Sequence, residues 1–158
     1  MNFRALAKVA AFSSEPELAR LRLERAESFW EIASRQSRGE GWAFSVEWGP
    51  GGMVFYAAKV FSFDAGHRLL SHPELCRHLH GHTYRLEVVV GVEKLDPYGM
   101  VCDFKALSHL VKEVLARYDH AMILAEGDPL VGTLRETGER LVLLSEEPTA
   151  DVLARHLF

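Results

Sequence analysis

Residues 76–90 read CRHLHGHTYRLEVVV, in which one cysteine and three histidines lead directly into an alternating apolar segment. Alternation with a period of two predicts a β-strand. It places these side chains on one face: His80, His82, Tyr84, Leu86, Val88 and Val90. Because His80 and His82 are two positions apart, their imidazoles point to the same side and can bind one ion together.

A second strand is predicted upstream, where residues 53–67 read MVFYAAKVFSFDAGH. The same period puts Phe61, Phe63, Ala65 and His67 on one face. If the two strands pair in antiparallel fashion, His67 joins His80 and His82. Three neutral imidazoles around zinc leave a fourth position open, as in catalytic zinc sites. A single histidine would more often be a surface residue, but a strand-paired triplet beside a cysteine favours a metal site.

Cys76 precedes His80 by four positions, on the segment that enters the metal site. The thiol could be a fourth zinc ligand, a buried apolar side chain, or a base whose pKa the nearby cation lowers. Further along, Asp119 and His120 are adjacent at the predicted end of a helix, a combination that can relay protons. Taken alone, such a pair is as easily an ordinary helix terminus.

The composition limits the classes of function. The chain has 158 residues, 48% of them hydrophobic, with a formal net charge of −4 and two cysteines. One compact domain with an extension is expected. The chain is not basic overall, so its charge does not suggest nucleic acid or an anionic membrane as the main partner. The absence of a spanning or secretory segment from this sequence, together with few cysteines, predicts a reduced, cytoplasmic setting.

Helices are predicted in three places. Residues 14–41 have an amphipathic pattern that starts with a capping box, and residues 42–48 follow as a short strand. Residues 103–120 form the next helix, with Asp103 as N-cap. Its inward stripe comprises Phe104, Leu107, Val111, Val114, Leu115 and Tyr118. A last helix begins near residue 149, with Val152, Leu153 and Leu157 inward.

Five blocks resemble the 6-pyruvoyltetrahydropterin synthase and 6-carboxytetrahydropterin synthase family in order and spacing. They are FSFDAGH (61–67), CRHLHGHTY (76–84), GMVCDF (99–104), YDH (118–120) and EEPTADVLA (146–154). The resemblance covers 53–158, and the spacing of Cys76 and His80 is similar to that of the bacterial 6-carboxy enzymes of queuosine synthesis. It implies an α+β T-fold (tunnelling fold) unit, an antiparallel sheet with helices packed on one face.

The resemblance also implies roles for individual residues. His67, His80 and His82 would bind Zn2+, Cys76 would be the proton-transferring thiol, and Asp119 with His120 would complete the catalytic set. Thr149 would line the substrate. The family usually has Glu where this chain has Asp151, which puts any role of Asp151 in doubt. Arg68, Arg77 and Lys105 are candidates for a basic pocket, since the implied substrate, 7,8-dihydroneopterin triphosphate, is an anion.

Family members continue into two further strands, the first with a glutamate that anchors the pterin ring, and this sequence ends at Phe158. Residues 44–57 resemble the missing piece, with Glu47 in the place of the anchor. Two explanations are open. Residues 1–52 could be an extension that replaces the strands beside the domain at 53–158. Alternatively, they are an accidental appendage, which is favoured because Met53 lies where family members begin.

Two other functions remain open. The chain could be a pyruvoyl-type enzyme of pterin or folate metabolism, or an inactive pterin- or metal-binding module. By the resemblance, the partner is a small-molecule pterin triphosphate, with neither nucleic acid nor membrane, and the enzyme is a homo-oligomer, trimeric or hexameric.

Overall fold

The longest strand, β3 (Gly52–His67), organises the sheet in a computed structural model that describes residues 4–11, 42–49 and 52–157. The strands β2 (Trp42–Gly49) and β4 (His80–Val92) pair with β3 in antiparallel fashion, and β5 (Ala121–Ala125) pairs with its last residues in parallel. A strand has only two edges. Therefore β2 and β5 share the edge opposite β4, at opposite ends of β3.

Two further strands complete the sheet. β1 (Arg4–Ala11) pairs antiparallel with β4, and β6 (Leu141–Leu144) pairs parallel with β5. Within the described residues the sheet has six strands, in the order β1-β4-β3-β5-β6 with β2 beside β3. The α+β class is confirmed, but the sheet is mixed rather than wholly antiparallel. A connection through a helix returns the chain to the same end of the sheet, which makes the β5–β6 pairing parallel.

The helices are α1 (Phe104–Leu115), α2 (Leu130–Glu136) and α3 (Ala150–Leu157). α1 begins where predicted, because the Asp103 carboxylate accepts hydrogen bonds from the backbone N–H groups of Lys105 and Ala106. α1 and α3 cover the apolar face of the sheet. The core there comprises Phe61, Phe63, Ala65, Tyr84, Leu86, Leu115, Tyr118, Ile123, Leu144 and Leu153.

The predicted inward stripe of the longest helix is only partly confirmed. Leu115 is buried, and Tyr118, just past the end of α1, is buried as well. The prediction is wrong for Val114, whose side chain is 45% exposed. In the last helix, Leu153 is fully buried, and Val152 and Leu157 pack against the core as predicted.

The main predicted strands are present, and others were missed. The segments predicted at 53–67 and 82–92 correspond to β3 and β4, with β4 starting two residues earlier, and the short strand at 42–48 corresponds to β2. The sequence analysis missed β1, β5, α2 and β6. The helix predicted at 14–41 lies outside the described residues. No helix in the described ranges is long and apolar enough to cross a membrane.

Candidate metal centre

Three imidazoles meet where β3 ends and β4 begins. In the antiparallel register His67 lies opposite His80, and Ala65 lies opposite His82. All three histidines belong to the face that carries the core. One nitrogen of each ring lies within 4.8 Å of one nitrogen of each of the others. The strand pairing alone therefore brings His67 to the two histidines of β4, as the sequence predicted.

Backbone carbonyls orient two of the three rings. His67 Nδ1 lies 2.9 Å from the carbonyl oxygen of Pro148, and His80 Nδ1 lies 2.7 Å from that of His78. A carbonyl only accepts, so each Nδ1 carries the proton and each Nε2 presents a lone pair. The two Nε2 atoms are 3.0 Å apart. Two facing acceptors repel each other, and a cation between them removes that repulsion.

Burial disfavours the charged form of two of the imidazoles, those of His67 and His82. Desolvation lowers the pKa of His67, although its bond to the Pro148 carbonyl opposes this, and the neighbouring imidazoles lower the pKa further. Desolvation also lowers the pKa of His82, followed by the effect of His80. Both shifts disfavour the imidazolium form.

The donor set fits zinc. Zinc binds imidazole nitrogen at about 2.0–2.1 Å, and two tetrahedral ligands at that length are roughly 3.3 Å apart. The separation of 3.0 Å between the Nε2 atoms of His67 and His80 needs only a small adjustment to reach it. Within the described part of the chain these three imidazoles are the whole ligand cluster, and Cys76 does not belong to it.

Tyr84 packs against the rings of His67 and His82. It is fully buried, its ring stands nearly perpendicular to those of His67 and His82, and it stacks on Phe63. Its hydroxyl has no hydrogen-bond partner among the described residues. Burial raises the pKa of Tyr84 to about 12, so this side chain is a neutral, apolar support for the imidazoles.

Cys76 lies on the loop that joins the two strands of the site. It is half-buried in a 3-10 turn at Leu75–Arg77, and its carbonyl oxygen accepts a hydrogen bond of 2.8 Å from the N–H of Leu69. The register thus places it on the connection between His67 and His80, near the ligands but outside their cluster. Of the proposed basic residues, Arg77 and Lys105 are exposed.

Asp119 and His120 lie in the turn that immediately precedes β5, next to β3. The Asp119 carboxylate accepts a hydrogen bond of 3.0 Å from the N–H of Asp64, and it lies 3.1 Å from His120 Nδ1. The Asp64 N–H is the main cause that lowers the pKa of Asp119, and His120 lowers it further. His120 has a φ of 57°, a left-handed conformation that is rare for a residue with a side chain and costs free energy.

The structure does not join this pair to the thiol within one chain. His120 lines a cavity of about 480 Å3 that Asp64, Gly66, Gly81 and Thr83 also line. By the alternation of the strands those four residues belong to the face opposite the histidines, and His82 is the one member of the cluster that lines the cavity. No hydrogen bond links Cys76 to Asp119 or His120 in the described ranges.

The two predicted substrate residues lie far apart. Thr149 caps α3, because its Oγ1 accepts a hydrogen bond of 3.2 Å from the N–H of Val152. Glu47 pairs with Val54, thirteen positions before His67 along β3. At about 3.3 Å per residue, roughly 40 Å of strand separates Glu47 from the metal centre of its own chain. Within its own chain, the backbone of Glu47 is therefore far from the three histidines.

Sequence reasoning missed an ion pair beside the metal centre. Arg68 donates from Nε to Asp128 Oδ2 at 2.7 Å, and its Nη2 contacts Asp128 Oδ1. The guanidinium proposed for a phosphate pocket is therefore engaged with Asp128. Asp128 also accepts from the N–H of Leu130 as α2 begins. An Asp before a Pro at a helix start is a signal that could have identified this residue.

Comparisons with known proteins identify the family of this chain. The model of the family described as 6-pyruvoyl tetrahydropterin synthase matches residues 56–158. The chain belongs to that family. A 6-carboxy-5,6,7,8-tetrahydropterin synthase of Rickettsia bellii is 42% identical over 102 residues, which cover 63% of this chain and 74% of the relative. One of Aquifex aeolicus is 30% identical over 126 residues, covering 67% and 78%.

One solved structure has a fold similar to that of this chain. It is the crystal structure of an uncharacterized protein from Wolinella succinogenes, 26% identical, with a TM-score of 0.55 over 66% of this chain and 81% of that one. The histidine cluster, the Cys76 loop and the Asp119–His120 pair all fall inside the segment that matches the 6-pyruvoyl tetrahydropterin synthase family.

Proposed function

We propose that this chain is a zinc-dependent 6-carboxy-5,6,7,8-tetrahydropterin synthase, a lyase that acts on 7,8-dihydroneopterin triphosphate in queuosine synthesis. The observation that carries the proposal is the group of three converging imidazoles beside the Cys76 loop. The names of the relatives from Rickettsia bellii and Aquifex aeolicus support the choice of product.

The proposal assigns a task to each residue. Zinc held by His67, His80 and His82 would act as a Lewis acid toward the hydroxyl and carbonyl oxygens of the substrate side chain. Cys76 would move protons at the side-chain carbons of the substrate, and His120, oriented by Asp119, would move protons on the opposite face of the substrate. Triphosphate would be eliminated and a carbon–carbon bond cleaved with the consumption of one water molecule, whose oxygen completes the carboxylate of the product, and acetaldehyde would be released.

Assembly is part of the same proposal. The Asp119–His120 pair borders the face of the sheet opposite the metal cluster, and Glu47 lies at the far end of β3. A homo-oligomer, trimeric or hexameric, in which copies share sites would bring Glu47, and His120 where needed, to a metal centre of another copy. Thr149 at the start of α3 would line the substrate there.

Product identity tests the proposal. Zinc-loaded protein is incubated with 7,8-dihydroneopterin triphosphate, and the products are identified by mass. Acetaldehyde with 6-carboxytetrahydropterin is the expected result. Pyruvoyltetrahydropterin would instead identify the alternative pyruvoyl-type enzyme, and binding without turnover would identify a pterin- or metal-binding module.

A further inference from the structure

Residues 68–79 connect two of the metal ligands and carry Cys76. The loop leaves β3 after His67 and enters β4 at His80. Within the loop, the N–H of Leu69 donates to the carbonyl of Cys76, and four further hydrogen bonds join residues 69–78 to one another. These bonds fix the shape of the loop, but its position relative to the rest of the site depends on contacts with residues outside it.

The side chain of Glu147 contacts this loop from the segment that precedes α3. Its Oε1 accepts two hydrogen bonds from Ser71, one from the N–H at 3.2 Å and one from the hydroxyl at 3.0 Å. The next residue is Pro148, whose carbonyl orients His67. Two consecutive residues therefore contact the Cys76 loop and a metal ligand at the same time.

The environment of this carboxylate differs from that of a solvated glutamate. Glu147 Oε2 is buried and has no hydrogen-bond partner among the described residues. The nearby Arg68 guanidinium compensates part of the charge, since Asp128 chiefly, and Glu147 to a smaller extent, raise the pKa of Arg68. The adjacent Glu146 instead pairs with Arg155 at the surface, where both side chains are more than half exposed.

We propose that Glu147 is a positioning residue, which fixes the Cys76 loop relative to the Pro148 carbonyl and the metal ligand His67. The inference rests on the proposed function, in which the thiol and the metal act on one substrate. A proton-transferring group must lie within hydrogen-bond reach of its target, and a displacement of about 1 Å can reduce the rate roughly a hundredfold.

Three variants of the full chain test this role: Glu147→Ala, Glu147→Gln and, as a matched control, Glu146→Ala. Zinc affinity is measured by chelator competition, the ligand geometry by the absorption spectrum of the Co2+ form, and the loop position by the alkylation rate of Cys76. Cys102, half-buried beside the start of α1, is the internal reference for alkylation.

Glu147→Ala should weaken zinc binding about tenfold, as loss of an outer-shell partner does, and shift the Co2+ spectrum. Its Cys76 should be alkylated severalfold faster, with Cys102 unchanged. In Glu147→Gln the zinc affinity, the Co2+ spectrum and the alkylation rate of Cys76 should all lie closer to wild type, because the amide oxygen still accepts from Ser71. Glu146→Ala should match wild type.

A folded Glu147→Ala protein with the wild-type alkylation rate at Cys76 would overturn the proposal. If that variant does not fold, Ser71→Ala removes the hydroxyl donor alone and should give a smaller increase of the same rate, and no increase would count equally against it. Wild-type protein that binds no zinc would contradict the metal-dependent function, while the alkylation rates would still decide the role of Glu147.

Discussion

His67 donates a hydrogen bond of 2.9 Å from Nδ1 to the carbonyl oxygen of Pro148, 81 positions further along the chain. The bond joins the end of β3 to the segment that leads into α3. It fixes which nitrogen of His67 faces the other histidines. The segment at 146–149 thus contributes to the metal centre through its backbone, besides any contact that Thr149 makes with substrate.

The metal assignment predicts about one zinc per purified chain. His80→Ala or His82→Ala should remove most of it, since each takes away one of three ligands, and metal content is measured by atomic emission. His109→Ala is the control, because His109 is largely exposed and pairs with Glu113 on the same helix. Full zinc content in both ligand variants would contradict the assignment.

The role of the thiol separates zinc content from turnover. Cys76→Ala should keep its zinc and lose turnover, because Cys76 lies outside the ligand cluster and is proposed to move protons. Both quantities are measured on the same sample, with Cys102→Ala as the matched control that keeps both. If Cys76→Ala loses its zinc as well, the thiol is a ligand.

The Arg68–Asp128 pair predicts a dependence of stability on pH. The Asp128 side chain is 2% exposed, and its bonds to Arg68 lower its pKa. The unfolded state, in which an aspartate has a pKa of about 3.9, therefore binds its proton first as the pH falls. The stabilisation is complete at neutral pH and is lost as the pH falls from about 4 through the lowered pKa of the folded state.

Asp128→Ala tests this by urea unfolding between pH 7 and pH 3. It should lower the free energy of unfolding at pH 7 by about 1–3 kcal/mol, because it removes the charged hydrogen-bond partner of a half-buried guanidinium. The difference from wild type should shrink below about pH 4. The exposed Asp151→Ala is the control. A difference that stays constant at every pH would show that lost packing, rather than charge, is the cause.

The orphaned hydroxyl of Tyr84 predicts a stabilising substitution. Tyr84→Phe removes a buried hydroxyl that has no partner among the described residues, and it keeps the ring against His67 and His82, so the free energy of unfolding should rise by about 1 kcal/mol. Zinc affinity should not change. Tyr98→Phe, at a residue that is 84% exposed, is the control. Lower stability in Tyr84→Phe would show that a bound water satisfies the hydroxyl.

Glu47 tests whether another copy completes the site. If Glu47 accepts a pair of N–H donors from the pterin, as proposed, Glu47→Ala should weaken substrate binding at least roughly thirtyfold. Glu93→Ala, at an exposed glutamate just after β4, is the control. Unchanged binding, together with a chain starting at Met53 that folds no worse, would mark residues 1–52 as an appendage.

Local sequence was sufficient for the elements that carry the three clustered histidines. Alternation along β3 and β4 set which side chains share the core face, because successive side chains of a strand point to opposite sides. The same rule brought His80 and His82 together, and antiparallel pairing supplied His67. Asp103 identified the start of α1 because a cap acts on N–H groups two and three positions away.

Tertiary structure decided what depends on contacts between distant residues. The short strands β5 and β6 lack a distinctive alternation, and they are strands because β3 and then β5 supply their hydrogen-bond partners. The Pro148 carbonyl and the Glu147 carboxylate act on residues 81 and 76 positions away. A backbone oxygen carries no sequence signal, and only the folded chain determines which imidazole it meets.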